Sequence, residues 1–121
     1  MDARRSQVYN AIFRVDCGEC TRITPDRAIS LQDLGEELQN LTEPVFLVGD
    51  GSNLCYNTLQ EALGNLVLPA EHRLHQRASG VALAAQAMIE AGAPGDAEAL
   101  QPNYLRLSQA ERERLAKEKE K

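Results

Sequence analysis

Cys17-Gly18-Glu19-Cys20 is the sharpest chemical motif in this 121-residue chain. Two thiolates at this spacing can supply half of a tetrahedral zinc site. His72 and His75 are the candidates for the other half, with Cys55 as a spare. A lone C-x-x-C without a second pair at a familiar spacing reads more simply as two turn residues. No metal and no other cofactor is therefore expected, and Cys17 and Cys20 are the residues a metal would take. Redox chemistry fits less well, because it needs the first thiol at a helix N-terminus to lower its pKa. The residues around this motif predict a hairpin instead.

A second motif lies where the apolar run Val45-Phe46-Leu47-Val48 enters Gly49-Asp50-Gly51-Ser52-Asn53. Backbone N–H groups in such a loop can approach a phosphate. Gly49, Gly51 and Ser52 are the candidate nucleotide contacts. A plain strand-to-helix turn would use the same two glycines for conformational freedom. No nucleophile–base pair is visible, so no catalytic residue is assigned. His72 and His75 sit in the polar stretch Glu71-His72-Arg73-Leu74-His75-Gln76-Arg77 and read as solvated.

The elements that must carry these residues form one domain, since 121 residues are too few for two ordinary ones. At 43% hydrophobic the chain can build a core, and with aromatics at 4% and no Trp that core is aliphatic. The net charge of −5 argues against binding nucleic acid through bulk positive charge. The balance is +1 over residues 1–30, −8 over 31–104 and +2 over 105–121. No apolar run has the length of a membrane span, about 18 residues. The first residues carry Asp2, Arg4 and Arg5 and lack the apolar stretch of a signal peptide. Three cysteines make no disulfide framework, so a reducing cytoplasm is the expected compartment.

Val8 to Val15 carries apolar groups on both faces and predicts a mostly buried strand. Asp16 to Cys20 turns, and Thr21-Arg22-Ile23-Thr24 returns as an antiparallel partner. Ser30 predicts an N-cap, with Leu31, Leu34, Leu38 and Leu41 on one helical stripe that Pro44 ends. Val45–Val48 predicts a strand covered on both faces. Leu59, Ala62 and Leu63 predict a helix stopping at Gly64, and Leu66–Leu68 a short strand. Ser79–Ala91 is Ala-rich, has Val81, Ala84, Ala85 and Met88 in register, and ends at Gly92 as a helix would. Leu100–Leu107 reads as extended. Ser108-Gln109-Ala110-Glu111 has capping-box form and opens a polar helix to Lys121, with Glu113 and Lys117 four apart.

Two stretches at opposite ends carry a family resemblance. Asp2-Ala3-Arg4-Arg5-Ser6-Gln7-Val8-Tyr9 resembles the D-A-R-x-x-x-V-Y strand that opens the second lobe of the TsaB (YeaZ) family. Pro102-Asn103-Tyr104-Leu105-Arg106 resembles that family's C-terminal P-x-Y-L-R. The family was formerly classed with the M22 glycoproteases, and nothing here matches its first lobe with its Asp-Thr-Ser strand. The chain therefore reads as a separate C-terminal lobe or a truncated gene product.

The resemblance implies an α/β fold: an RNase H-like, actin-like ATPase (ASKHA) lobe. Its mixed sheet would have an N-terminal antiparallel hairpin flanked by helices, over residues 1–107. Residues 108–121 would form a polar C-terminal helix or tail. It implies a non-catalytic scaffold in the bacterial synthesis of threonylcarbamoyladenosine (t6A) in tRNA. The implied partners are a TsaD-type catalytic subunit and a TsaE-type ATPase. The H-x-x-H of this chain does not match the H-x-x-x-H pair of TsaD, in keeping with a non-enzyme. Arg4, Tyr104 and Arg106 are the partner-binding or structural residues. Arg4, Arg5 and the basic tail could touch tRNA phosphates, or simply form a solvated face. A lone lobe would leave an apolar face uncovered, so a twofold homodimer is expected across the former inter-lobe face, with Ser79–Ala91 as a candidate part of the seam; the alternative to that dimer is a monomer in which the C-terminal helix folds back over that face. The alternative is a small metal- or nucleotide-binding domain built on Cys17/Cys20 or the Gly49–Ser52 loop.

Overall fold

The computed structural model describes every residue except 108, 109, 112, 113, 115, 116 and 119–121. The capping box at Ser108, the Glu113–Lys117 pair and the apolar Leu115 and Ala116 therefore lie outside the described residues. Eight of the elements are β1 (Asp2–Arg4), β2 (Gln7–Asn10), β3 (Phe13–Asp16), β4 (Glu19–Arg22), β5 (Arg27–Ser30), α1 (Leu31–Leu38), β6 (Val45–Phe46) and α2 (Ser52–Leu59). They are followed by β7 (Leu66–Val67), a 3-10 turn (Glu71–Arg73) and α3 (Ala78–Glu90). This is a mixed α/β fold with an N-terminal antiparallel sheet and flanking helices.

The strands form three small sheets rather than one mixed sheet. β1, β2 and β5 make an antiparallel sheet in that order, with Val8 opposite Ile29 and Tyr9 opposite Ala28. β3 and β4 form a separate hairpin, and β6 and β7 a short parallel pair. The long buried strand expected from Val8 to Val15 is broken at Ala11 and Ile12. There Ile12 N–H donates to Thr24 Oγ1 at 2.8 Å instead of to a ladder. Beyond the break every residue of β3 and β4 is exposed. β3, with Phe13 and Val15 on one face and Arg14 and Asp16 on the other, thus stands off the core.

α1 follows the expected rule. Ser30 is extended, its hydroxyl accepts from Asp33 N–H at 3.0 Å, and Leu31, Leu34 and Leu38 point inward. Those leucines meet Val8, Cys55, Leu59 and Leu63 in the core, with Leu41, Val45 and Leu47 at its margin. β6 is amphipathic rather than covered on both faces, because Phe46 is 64% exposed while Val45 and Leu47 lean on the core. α2 starts at Ser52, earlier than Leu59 and its neighbours suggest, and Leu63 enters the core from the turn after it. Gly92 has φ +88°, and Ala93 N–H bonds Met88 O at 2.9 Å, closing α3 in the expected left-handed cap. Nevertheless α3 buries none of its 13 residues.

Candidate functional site

The two end motifs meet in space. Arg106 Nη1 donates to Ala3 O at 2.9 Å. Ala3 is buried in the centre of β1, so the Arg106 side chain reaches from the C-terminal segment to the first strand. Tyr104, two residues before, is 82% exposed. β1 turns into β2 through Arg4, Arg5 and Ser6, all with positive φ between 55° and 62°. The Arg4 N–H is held by Asp2 Oδ1 at 2.7 Å, and the Arg4 and Arg5 side chains face solvent. Three successive non-glycine residues in this region cost about 1–2 kcal/mol each.

Two backbone donors of the Gly49–Ser52 loop are engaged within the chain. Gly49 takes φ +98° and its N–H bonds Leu74 O at 2.5 Å. Ser52 N–H closes a turn on Gly49 O at 3.1 Å. Gly51 is roofed by the first two residues: a Cβ there would meet Asp2 N at 3.0 Å and the Met1 carbonyl carbon at 3.1 Å. Ser52 is 3% exposed, and its hydroxyl has no partner among the described residues. Chain atoms thus occupy the space over Gly51, and α2 has no side-chain cap.

Cys17 and Cys20 lie on the outer hairpin, exposed and reduced. Cys17 at φ +48° and Gly18 at φ +86° are the two central residues of a type I′ turn. Cys20 stands opposite Val15. His72 belongs to the distant 3-10 turn and His75 follows it. Among the described residues no group of three or more His, Cys, Asp or Glu side chains could hold a metal ion. Cys55 is buried beneath α1, and burial, aided by Asp2, pushes its thiol up from the ordinary range against the pull of the N-terminal amine and a backbone hydrogen bond. A cleft of about 370 Å³ between β2 and the C-terminal segment is lined by Tyr9, Asn10, Asp26, Gln76 and Asn103 among others. Its carboxylate, Asp26, is already paired with Arg22 at 2.8 Å.

Sequence reasoning did not identify the Ala3 carbonyl as the acceptor for Arg106, nor the N-terminal strand as the cover on Gly51. Both are backbone contacts, which no residue type announces. The bareness of α3 does have a signal: no charged residue occurs from Ala78 to Ile89. A helix apolar all round is one that something else must cover.

Over 113 residues, 91% of its length, the chain is 31% identical to the tRNA threonylcarbamoyladenosine biosynthesis protein TsaB of Bacillus subtilis (strain 168). It is a distant relative of TsaB. The chain spans about half of that protein, 47% of its length. No family model matches. The likeness to TsaB runs across most of the chain and does not rest on one motif. Among the described residues no helix is long and apolar enough to cross a membrane.

Proposed function

We propose that this chain is the C-terminal lobe of a TsaB-type protein with the RNase H-like, actin-like architecture. Residues 1–107 would be the lobe and 108–121 its polar tail. Its role is that of a non-catalytic scaffold in t6A synthesis, working in the cytoplasm through contact with a TsaD-type subunit and, through it, a TsaE-type ATPase. The likeness to TsaB carries this reading. Two features of the fold support it. The D-A-R and P-x-Y-L-R motifs touch through Ala3 and Arg106, as parts of one structural unit. The apolar helix α3 lies bare, as a surface meant for another protein does.

Binding of the purified chain to a TsaD-type subunit, followed by calorimetry, tests the proposal. A complex of one chain per subunit is expected, and Ala84→Glu with Met88→Lys should weaken it at least about tenfold. No binding at high micromolar concentration by a chain that is folded by circular dichroism would refute the scaffold role. So would ATP hydrolysis that follows the chain through purification and disappears with Asp50→Ala.

A further inference from the structure

The β3–β4 hairpin has an edge that fits itself. Ile23 N–H donates to Ile12 O at 2.8 Å, in register with the ladder that pairs Phe13 with Arg22 and Asp16 with Glu19. Hydrogen-bonded pairs alternate along an antiparallel ladder. Counting by two from Ile12, Arg14 and Asp16 turn their backbone groups toward β4. Phe13 and Val15 turn theirs outward, and among the described residues β3 has no strand on that side. Val15 is also 72% exposed. An unpaired edge of this kind is a template for another strand.

We propose that β3 pairs antiparallel with β3 of a second copy, about a twofold axis at Val15. That register sets Val15 opposite Val15, with its outward N–H and C=O groups exchanging both hydrogen bonds. It also sets Arg14 of each copy opposite Asp16 of the other, twice over. Parity is preserved: Phe13, Val15, Cys20 and Arg22 of both copies share one face of a four-stranded sheet, and Arg14, Asp16, Glu19 and Thr21 share the other. Arg14 is free to take part, since its present ion pair with Glu43 is 3.6 Å long and both side chains are largely exposed. The bare helix α3, where a homodimer seam was expected, has no charge before Glu90 at its end and so little to set a register. β3 specifies one. With one short strand from each side the contact is small, so the dimer is weak and concentration-dependent.

Charge reversal in two separate variants tests the register. Arg14→Asp faces Asp16 of its copy with like charge, and Asp16→Arg does the same to Arg14. By sedimentation equilibrium each variant alone should self-associate about tenfold or more weakly than the parent chain. An equimolar mixture should recover the parent's association, because both cross-strand pairs are then opposite in sign. Val15→Pro, which removes an N–H that β4 does not use, should abolish association while leaving the hairpin folded. A parent chain that stays monomeric up to millimolar concentration overturns the proposal. So do variants that associate like the parent, a mixture that fails to recover, or association lost with Ala84→Glu/Met88→Lys and indifferent to Arg14→Asp.

Discussion

The guanidinium of Arg106 and the carbonyl of Ala3 are hydrogen-bonded across 103 positions of sequence, at 2.9 Å. This contact ties the C-terminal segment, whose described residues join no sheet, to Ala3, the buried centre of an otherwise exposed first strand. Arg106→Ala should lower unfolding free energy by about 1.5 kcal/mol, the scale of a charge-assisted bond to a carbonyl. Urea denaturation measures it, with Arg106→Lys losing less. An unchanged midpoint would mean that the clasp contributes nothing.

Two glycines should respond in opposite directions. At Gly51 a Cβ presses against the backbone of Met1 and Asp2, and Tyr9 holds Met1 in place by hydrogen bonds to its amine and its carbonyl. Gly51→Ala is expected to destabilise by about 1–3 kcal/mol, as overpacking does. At Gly80, in α3, a Cβ meets nothing within 4 Å. Gly80→Ala should stabilise the chain by about 0.5–1 kcal/mol through helix propensity and loss of unfolded-state freedom. Thermal melts of both variants decide the matter, and equal shifts would contradict it.

Leu34 and Leu83 separate core from surface. Leu34 is 2% exposed and lies at the centre of the leucine cluster on α1. Leu34→Ala should cost about 2–5 kcal/mol. Leu83 is bare, and Leu83→Ala in the isolated chain should shift stability by less than about 0.5 kcal/mol. A large loss at Leu83 would show that α3 is already covered in solution.

Cys55 should give the chain an alkaline limit. Its folded pKa lies above the unfolded value, so the unfolded thiol ionises first. The stabilisation is complete below the ordinary thiol pKa of about 8.5 and is lost as pH rises through the higher folded value. Cys55→Ala should flatten that part of the stability profile. A disulfide-exchange reagent should titrate Cys17 and Cys20 at once and Cys55 only as the protein opens. Three equally fast thiols would sink this expectation.

With Cys17 and Cys20 in and beside an exposed turn, and no group of three side chains able to hold a metal among the described residues, purified chain is expected to carry far less than one zinc per molecule. Cys17→Ser should leave stability within about 0.5 kcal/mol. Elemental analysis showing one equivalent, lost on that substitution, would reverse the conclusion.

Local chemistry was legible wherever neighbours in sequence decide it. Ser30 with Asp33 is an N-cap, Cys17-Gly18 is a tight turn between paired strands, and Gly92 ends α3, because each depends on backbone torsions and hydrogen bonds within a few residues. The leucine stripe of α1 announced its buried face for the same reason, through helical period. Burial of strands was not legible in this way. Val8, Phe13 and Val15 are alike in type, yet Val8 lies in the core while Phe13 and Val15 face water. That difference arises because the chain leaves the sheet at Ile12, and hydrophobicity alone does not say which apolar side chain finds a cover. The contact of Arg106 with Ala3, the roof over Gly51 and the outward edge of β3 belong to the same class. Each joins a side chain or strand to backbone brought near by folding. Every residue but proline carries the same backbone donor and acceptor, so only the tertiary structure could choose the partner.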